Sequence, residues 1–134
     1  MPRKAAAEEL VFFVDRSLGG KLVVEALRKA GALVVAHDDE FDQNATDLEW
    51  LAEAGRRDWV VLTKDSAIRR HAYEKAMFRE AACRVFLLTS GNMVGTGMAA
   101  TFVAALPKMR NLADTTDAPF LFGLTKTGTI NRLE

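Results

Sequence analysis

Cysteine is all but missing from this chain. Cys83 is the single one in 134 residues, so no internal disulfide can form. It has no partner cysteine and no nearby histidine, and a buried thiol in a reducing compartment, hence a cytoplasmic location, is the expectation. His37 and His71 stand too far apart, without cysteines, to make a zinc motif. Long apolar runs are absent as well. Nothing is long enough to cross a bilayer, and the apolar stretch after Met1-Pro2-Arg3-Lys4-Ala5 is broken by Glu8 and Glu9, so neither a membrane segment nor a signal peptide is read. Excess charge of either sign is also lacking: 18 Lys and Arg balance 18 Asp and Glu. This counts against a protein that holds nucleic acid by bulk attraction. It leaves room for an enzyme that meets one phosphate through a metal ion.

What is present suits one compact domain spanning residues 1–134, with 49% apolar residues to build a core and no repeat, linker or low-complexity tract. Val11–Val14 reads as a buried strand running straight into Asp15. Leu22, Val23, Ala26, Leu27 and Ala30 fall on one helical stripe, which Gly31 stops. Leu33–Ala36 reads as a second strand, followed by a polar loop from His37 to Ala45. Thr46 and Glu49 form a capping box for a helix whose stripe is Leu48, Leu51 and Ala52, ended by Gly55. Trp59–Thr63 and Val85–Leu88 are the third and fourth strands, with a helical stretch to about Ala82 between them. A long helix follows from Thr96, with Pro107 expected to kink it or start its second segment. The segment from Phe120 to Leu133 predicts a terminal hairpin adding an antiparallel edge. Four alternations of strand and amphipathic helix predict an α/β fold: a mostly parallel central sheet with helices on both faces and a C-terminal β-hairpin.

In such sheets ligands gather outside the carboxyl ends of the strands. Asp15 follows the first strand, and Asp65 the third. His37, Asp38 and Asp39 follow the second; Thr89, Ser90 and Asn92 follow the fourth. Asp47 and Glu49, in a first helical turn, reach toward the same rim. Each acid also suits a plain structural role, since aspartate caps helices and complements their dipoles; Glu49 completes the capping box. Several acids meeting at one end of a sheet repel unless a cation bridges them, and hard oxygen ligands point to magnesium or manganese rather than zinc. Basic residues crowd the middle third: Arg56, Arg57, Lys64, Arg69, Arg70, Lys75, Arg79 and Arg84. Of these, Lys64, Arg69 and Arg70 lie nearest the acids and suit phosphate contacts, with solvated surface charge as the plainer reading. Trp50, Trp59 and the phenylalanines fit packing better than base stacking. Gly91, Gly95 and Gly97 lack the Lys-Ser or Lys-Thr pair of a phosphate loop.

Five segments in order carry a family likeness. They are Phe12–Gly20, His37-Asp38-Asp39-Glu40-Phe41, Asp47-Leu48-Glu49-Trp50-Leu51, Val60-Val61-Leu62-Thr63-Lys64-Asp65 and Leu88-Thr89-Ser90-Gly91-Asn92. Together they resemble the PIN-like domain family of toxin–antitoxin ribonucleases, over nearly the whole chain from Leu10. The resemblance implies a PIN-like three-layer fold and metal-dependent endoribonuclease activity with Mg2+ or Mn2+. It also implies an RNA substrate and a cognate antitoxin that blocks the pocket, and it leaves a homodimer open. Position by position, Asp15, Asp47 and Asp65 match the family's catalytic, metal-holding acids. Asp39 stands as an acid further out, with Thr63 and Asn92 as polar helpers. The fourth carboxylate usual beyond the third strand's acid is replaced here by Ser90 and Asn92. Two other classes share the alternation: a receiver-like phospho-accepting domain, with Asp65, Thr89 and Lys126 in its site, and a catalytically inactive PIN-like interaction module whose acids only cap helices.

Overall fold

The computed structural model describes residues 9–90 and 92–134. The Met1–Ala5 opening, Glu8 and Gly91 of the glycine group lie outside the described residues. Six strands form one sheet: β1 (Val11–Val14), β2 (Leu33–Ala36), β3 (Val60–Thr63), β4 (Arg84–Leu88), β5 (Phe120–Leu124) and β6 (Ile130–Arg132), in the order β2-β1-β3-β4-β5-β6. The first five run parallel, and only β6 is antiparallel, pairing with β5 across the terminal hairpin. The expected α/β sheet with a hairpin edge is therefore the observed one.

Strand alternation sorts the core into two faces. Phe12, Val14, Val60, Leu62, Phe86 and Leu88 point one way, toward α1 (Leu22–Lys29) and the 21-residue α6 (Gly95–Thr115). Phe13, Val61, Val85 and Leu87 point the other way, toward α3 (Asp47–Arg56) and α5 (Ala72–Glu80). On that second face Phe13 stacks on Trp59 at 5.3 Å between ring centroids, with Trp50 at 5.4 Å and Phe41 at 5.7 Å. Both tryptophans thus serve as core, as their pattern suggested.

Several local expectations shift. On α1 the buried side is Val23, Val24 and Leu27, while Ala30 is exposed and Leu22 leans over the start of α6 at Gly95. Gly31, at φ +92°, does stop the helix, because that backbone conformation strains any residue with a β-carbon. The loop after β2 begins instead with one helical turn, α2 (His37–Glu40), which buries His37 against Phe13. On α3 the buried residues are Trp50, Leu51 and Ala54, with Leu48 and Ala52 only half-buried. The helix passes through Gly55 to Arg56, so Gly55 is not its stop: a β-carbon there would lie 2.6 Å from Ala81 Cβ, and glycine is needed for close approach. Trp59 precedes its strand, and Arg84 joins β4. The stretch between β3 and β4 breaks at His71 into α4 (Ala67–Arg70) and α5. Pro107 neither splits α6 nor starts a second segment. It sits on the exposed side of one continuous helix, where water can serve the carbonyl it leaves unpaired.

Candidate active site at the strand ends

The strand order reverses between β1 and β3, and the crevice at such a switch point is where an open α/β sheet presents ligands. Asp15 and Asp65 stand there. Asp15 continues β1 by one residue, its N–H donating to Leu62 O at 3.0 Å. It shares parity with Phe13, and Thr63 shares parity with Val61, so both side chains project toward the α3–α5 face. They meet: the Thr63 hydroxyl donates to Asp15 Oδ2 at 2.8 Å and accepts the Asp65 N–H at 3.1 Å. Ser17 joins from a 3-10 turn, Arg16–Leu18. Its hydroxyl donates to Asp15 Oδ2 at 2.7 Å and accepts the Lys64 N–H at 3.0 Å. Asp15 is 5% exposed and makes no side-chain capping bond to the turn it precedes. Asp65 is exposed, and its Oδ1 accepts the Ala67 N–H at 3.0 Å, a local bond that orders the entry to α4.

Asp47 begins α3 behind a complete Thr46–Glu49 capping box, which accounts for Glu49. Asp47 itself accepts the Trp50 Nε1–H at 2.9 Å. It lines an open cleft with Thr46, Arg70, His71 and Glu74. Glu74, in the first turn of α5, was not singled out by its position in the sequence. Its carboxyl is pushed above the usual glutamate range by burial, then by the charge of Asp47 and, less, of Asp65; a 3.3 Å contact with His71 Nδ1 pulls the other way. Glu74 therefore feels the charge of both Asp47 and Asp65, and packing of α5 on α3 brings in this further acid.

The remaining predicted residues separate. Asp39 is exposed on α2 and faces Arg28 at 3.5 Å. Asn92 is exposed in the loop after β4. Lys64 is half-buried between Thr63 and Asp65, and Arg69 and Arg70 are exposed at the end of α4. The basic crowd of the middle third is largely neutralised within the fold. Arg56 and Arg57 grip Glu53, with the Arg56 hydrogen bond foremost in holding its carboxyl down at about 2. Lys75 and Arg79 pair with Glu134. Arg84 is half-buried, donates to the Asp58 carbonyl, and is shifted down by burial. Of that basic crowd, Lys64, Arg69 and Arg70, with Arg84 on its backbone carbonyl, stand outside the ion pairs found among the described residues.

No three His, Cys, Asp or Glu side chains among the described residues stand close enough to share one ion. The acids instead ring the rim as the Asp15–Asp65 side and the Asp47–Glu74 side. Their chemistry still suits a hard divalent cation. The donors are carboxylate oxygens, the charges of Asp47 and Asp65 add to burial in raising Glu74, and Cys83, the one thiol, is buried and pushed up to about 12 by desolvation.

Comparison with known proteins agrees with this fold. Residues 10–90, which include Asp15, Asp47, Asp65 and Glu74, match the family model described as PIN like domain. The chain belongs to the PIN-like family, and its sheet, helical layers and hairpin are a PIN-like three-layer fold. It is 30% identical over 105 residues to "Putative ribonuclease VapC45" of Mycobacterium tuberculosis (strain ATCC 25618 / H37Rv), covering 75% of this chain and 76% of that protein. No solved structure matches.

Proposed function

We propose that this protein is a metal-dependent endoribonuclease, hydrolysing RNA phosphodiesters as the toxin of a toxin–antitoxin pair. The observation that carries the reading is that the Asp15 carboxylate and the Asp65 backbone N–H bond the same Thr63 hydroxyl at the β1–β3 switch point. Likeness to a protein named a ribonuclease supports it, as does membership of the PIN-like family, which weighs against a receiver-like site. Asp15, Asp65 and Asp47 would hold Mg2+ or Mn2+, with Glu74 adding charge from α5. Such an ion, when bound, activates water and offsets charge developing on a phosphate oxygen. Lys64, Arg69 and Arg70 hold flanking phosphates as charge-assisted donors. The cognate antitoxin covers this acidic rim, and the protein works in the cytoplasm as a single domain. No helix among the described residues is long and apolar enough to cross a membrane. The local bonds of Asp65 to Ala67 and of Asp47 to Trp50 favour a second reading, an inactive interaction module whose acids only order helix starts.

One experiment separates these readings. Cleavage of a single-stranded RNA is followed with and without Mg2+ or Mn2+ for the wild type, Asp15→Asn and Asp65→Asn. The expected result is metal-dependent cleavage by the wild type and loss of at least about a hundredfold in each variant, with circular dichroism unchanged. Retained cleavage in both variants rejects the site. No cleavage by the wild type, and no rise in melting temperature with either ion, favours the inactive module.

A further inference from the structure

We infer that Ser17 is a positioning residue for Asp15, and that the Ser17–Thr63 hydroxyl pair ties the loop after β1 to the loop after β3 so that one oxygen of Asp15 stays unsealed. The catalytic consequence rests on the nuclease reading above; the tie itself does not.

Counting protons fixes the arrangement. Each hydroxyl has one hydrogen. Ser17 Oγ lies 2.7 Å and Thr63 Oγ1 2.8 Å from the same oxygen, Asp15 Oδ2, which has no other role for its lone pairs than to accept both. The 3.1 Å separation of the two hydroxyl oxygens is then the result of a shared acceptor rather than a third bond. Their lone pairs are used as well: Ser17 Oγ accepts the Lys64 N–H, and Thr63 Oγ1 accepts the Asp65 N–H. Two hydroxyls thus convert one carboxylate oxygen into anchorage for two consecutive amides of the segment that carries Asp65. Asp15 Oδ1 is left over. Among the described residues the unpartnered side-chain atoms sealed from solvent are Arg84 Nε and Arg110 Nε, so Oδ1, which takes no hydrogen bond there, is not sealed and accounts for part of the 5% of Asp15 that stays exposed. Thr63 is built into β3, whereas Ser17 sits in the 3-10 turn, so only Ser17 carries the tie across from the first strand's loop. Its loss frees both Asp15 and the Lys64–Asp65 backbone.

The test compares Ser17→Ala, which removes the hydroxyl, with Ser17→Thr, which keeps it, in the full chain. Two readouts are taken: kcat and KM for single-stranded RNA with Mn2+, and hydrogen exchange at the Lys64 amide by NMR. The expected result for Ser17→Ala is a fall in kcat of about ten- to hundredfold with KM little changed, together with faster Lys64 exchange. Ser17→Thr restores both. Wild-type kcat in Ser17→Ala overturns the inference, as does lost activity that Ser17→Thr fails to restore while the Lys64 amide stays protected. A wild type that cleaves no RNA with any divalent ion removes the nuclease reading instead. The Lys64 amide then decides alone: unchanged exchange in Ser17→Ala overturns the tie, and faster exchange upholds it.

Discussion

Glu74 lies half-buried in the field of two other acids, so its ionised form is disfavoured in the folded chain relative to the unfolded one. The sign of the consequence follows from proton linkage. With a folded pKa above 4.5, the native state holds more protons than the unfolded state between 4.5 and the raised value, and stability falls as pH climbs through that window. Above the window the charge is a standing cost; below 4.5 both states are protonated and the cost vanishes. Glu74→Gln should therefore raise the melting temperature in metal-free buffer at neutral pH, by on the order of a degree or two given partial solvent screening. The gain should disappear in acid. Thermal melts across pH test this, and a variant no more stable than wild type at pH 7 contradicts the electrostatic reading. The contrast with Asp15 and Asp65 shows what a linear sequence carries at this scale. Those two follow apolar strands directly, so strand-end logic finds them. Glu74 arrives on a helix turn, through packing of α5 on α3, and Ser17 acts through a hydroxyl that accepts the Lys64 N–H, 47 residues away. Neither relation leaves a periodic trace in the chain.

Elements follow the same division. The β1 and β2 strands are legible to their ends because they are apolar runs bounded by Asp15, Gly31 and His37, and the Thr46–Glu49 box marks α3 because capping is a local hydrogen-bond exchange. What is not legible depends on partners. Gly55 looks like a helix stop, yet it lies inside α3 facing Ala81, and only the neighbouring turn reveals why a β-carbon is excluded. Gly55→Ala sets two effects against each other. Helix propensity favours alanine by about 1 kcal/mol. Overlap with the Ala81 backbone requires the α3 and α5–β4 layers to part, at about 1–3 kcal/mol or more, and the obstacle is main chain that has no rotamer to change. The expected outcome is net destabilisation by roughly 1–2 kcal/mol, read as a lower urea midpoint with unchanged slope. A stabilised variant would mean that the two layers slide apart freely, so that the close approach has no structural role.

For the whole molecule, equal numbers of opposite charges do not say which cations stand free beside the acidic rim. Arg16 faces Asp38, Arg28 faces Asp39, Arg57 spans Glu53 and Glu40, and Lys75 and Arg79 close on Glu134. Beside the acidic rim this leaves Lys64, Arg69 and Arg70. Sequence composition could count the bases but not subtract the pairs, which form between residues as distant as Arg79 and Glu134. If these three hold RNA phosphates, single-strand binding releases counterions from about three contacts, and log K against log salt has a slope of about −2, from roughly −0.7 per phosphate. A protein using its whole basic complement would show a much steeper dependence. Binding of a short oligonucleotide to Asp15→Asn, which should bind without cleaving, is measured from 50 to 300 mM salt. Replacing Arg69 and Arg70 by Gln should flatten the slope by about 1.4 and weaken binding evenly across sequences, since phosphate contacts carry no base information. An unchanged slope in that double variant would move the RNA path away from α4. The strand-end acids would then face a substrate held by another part of the surface.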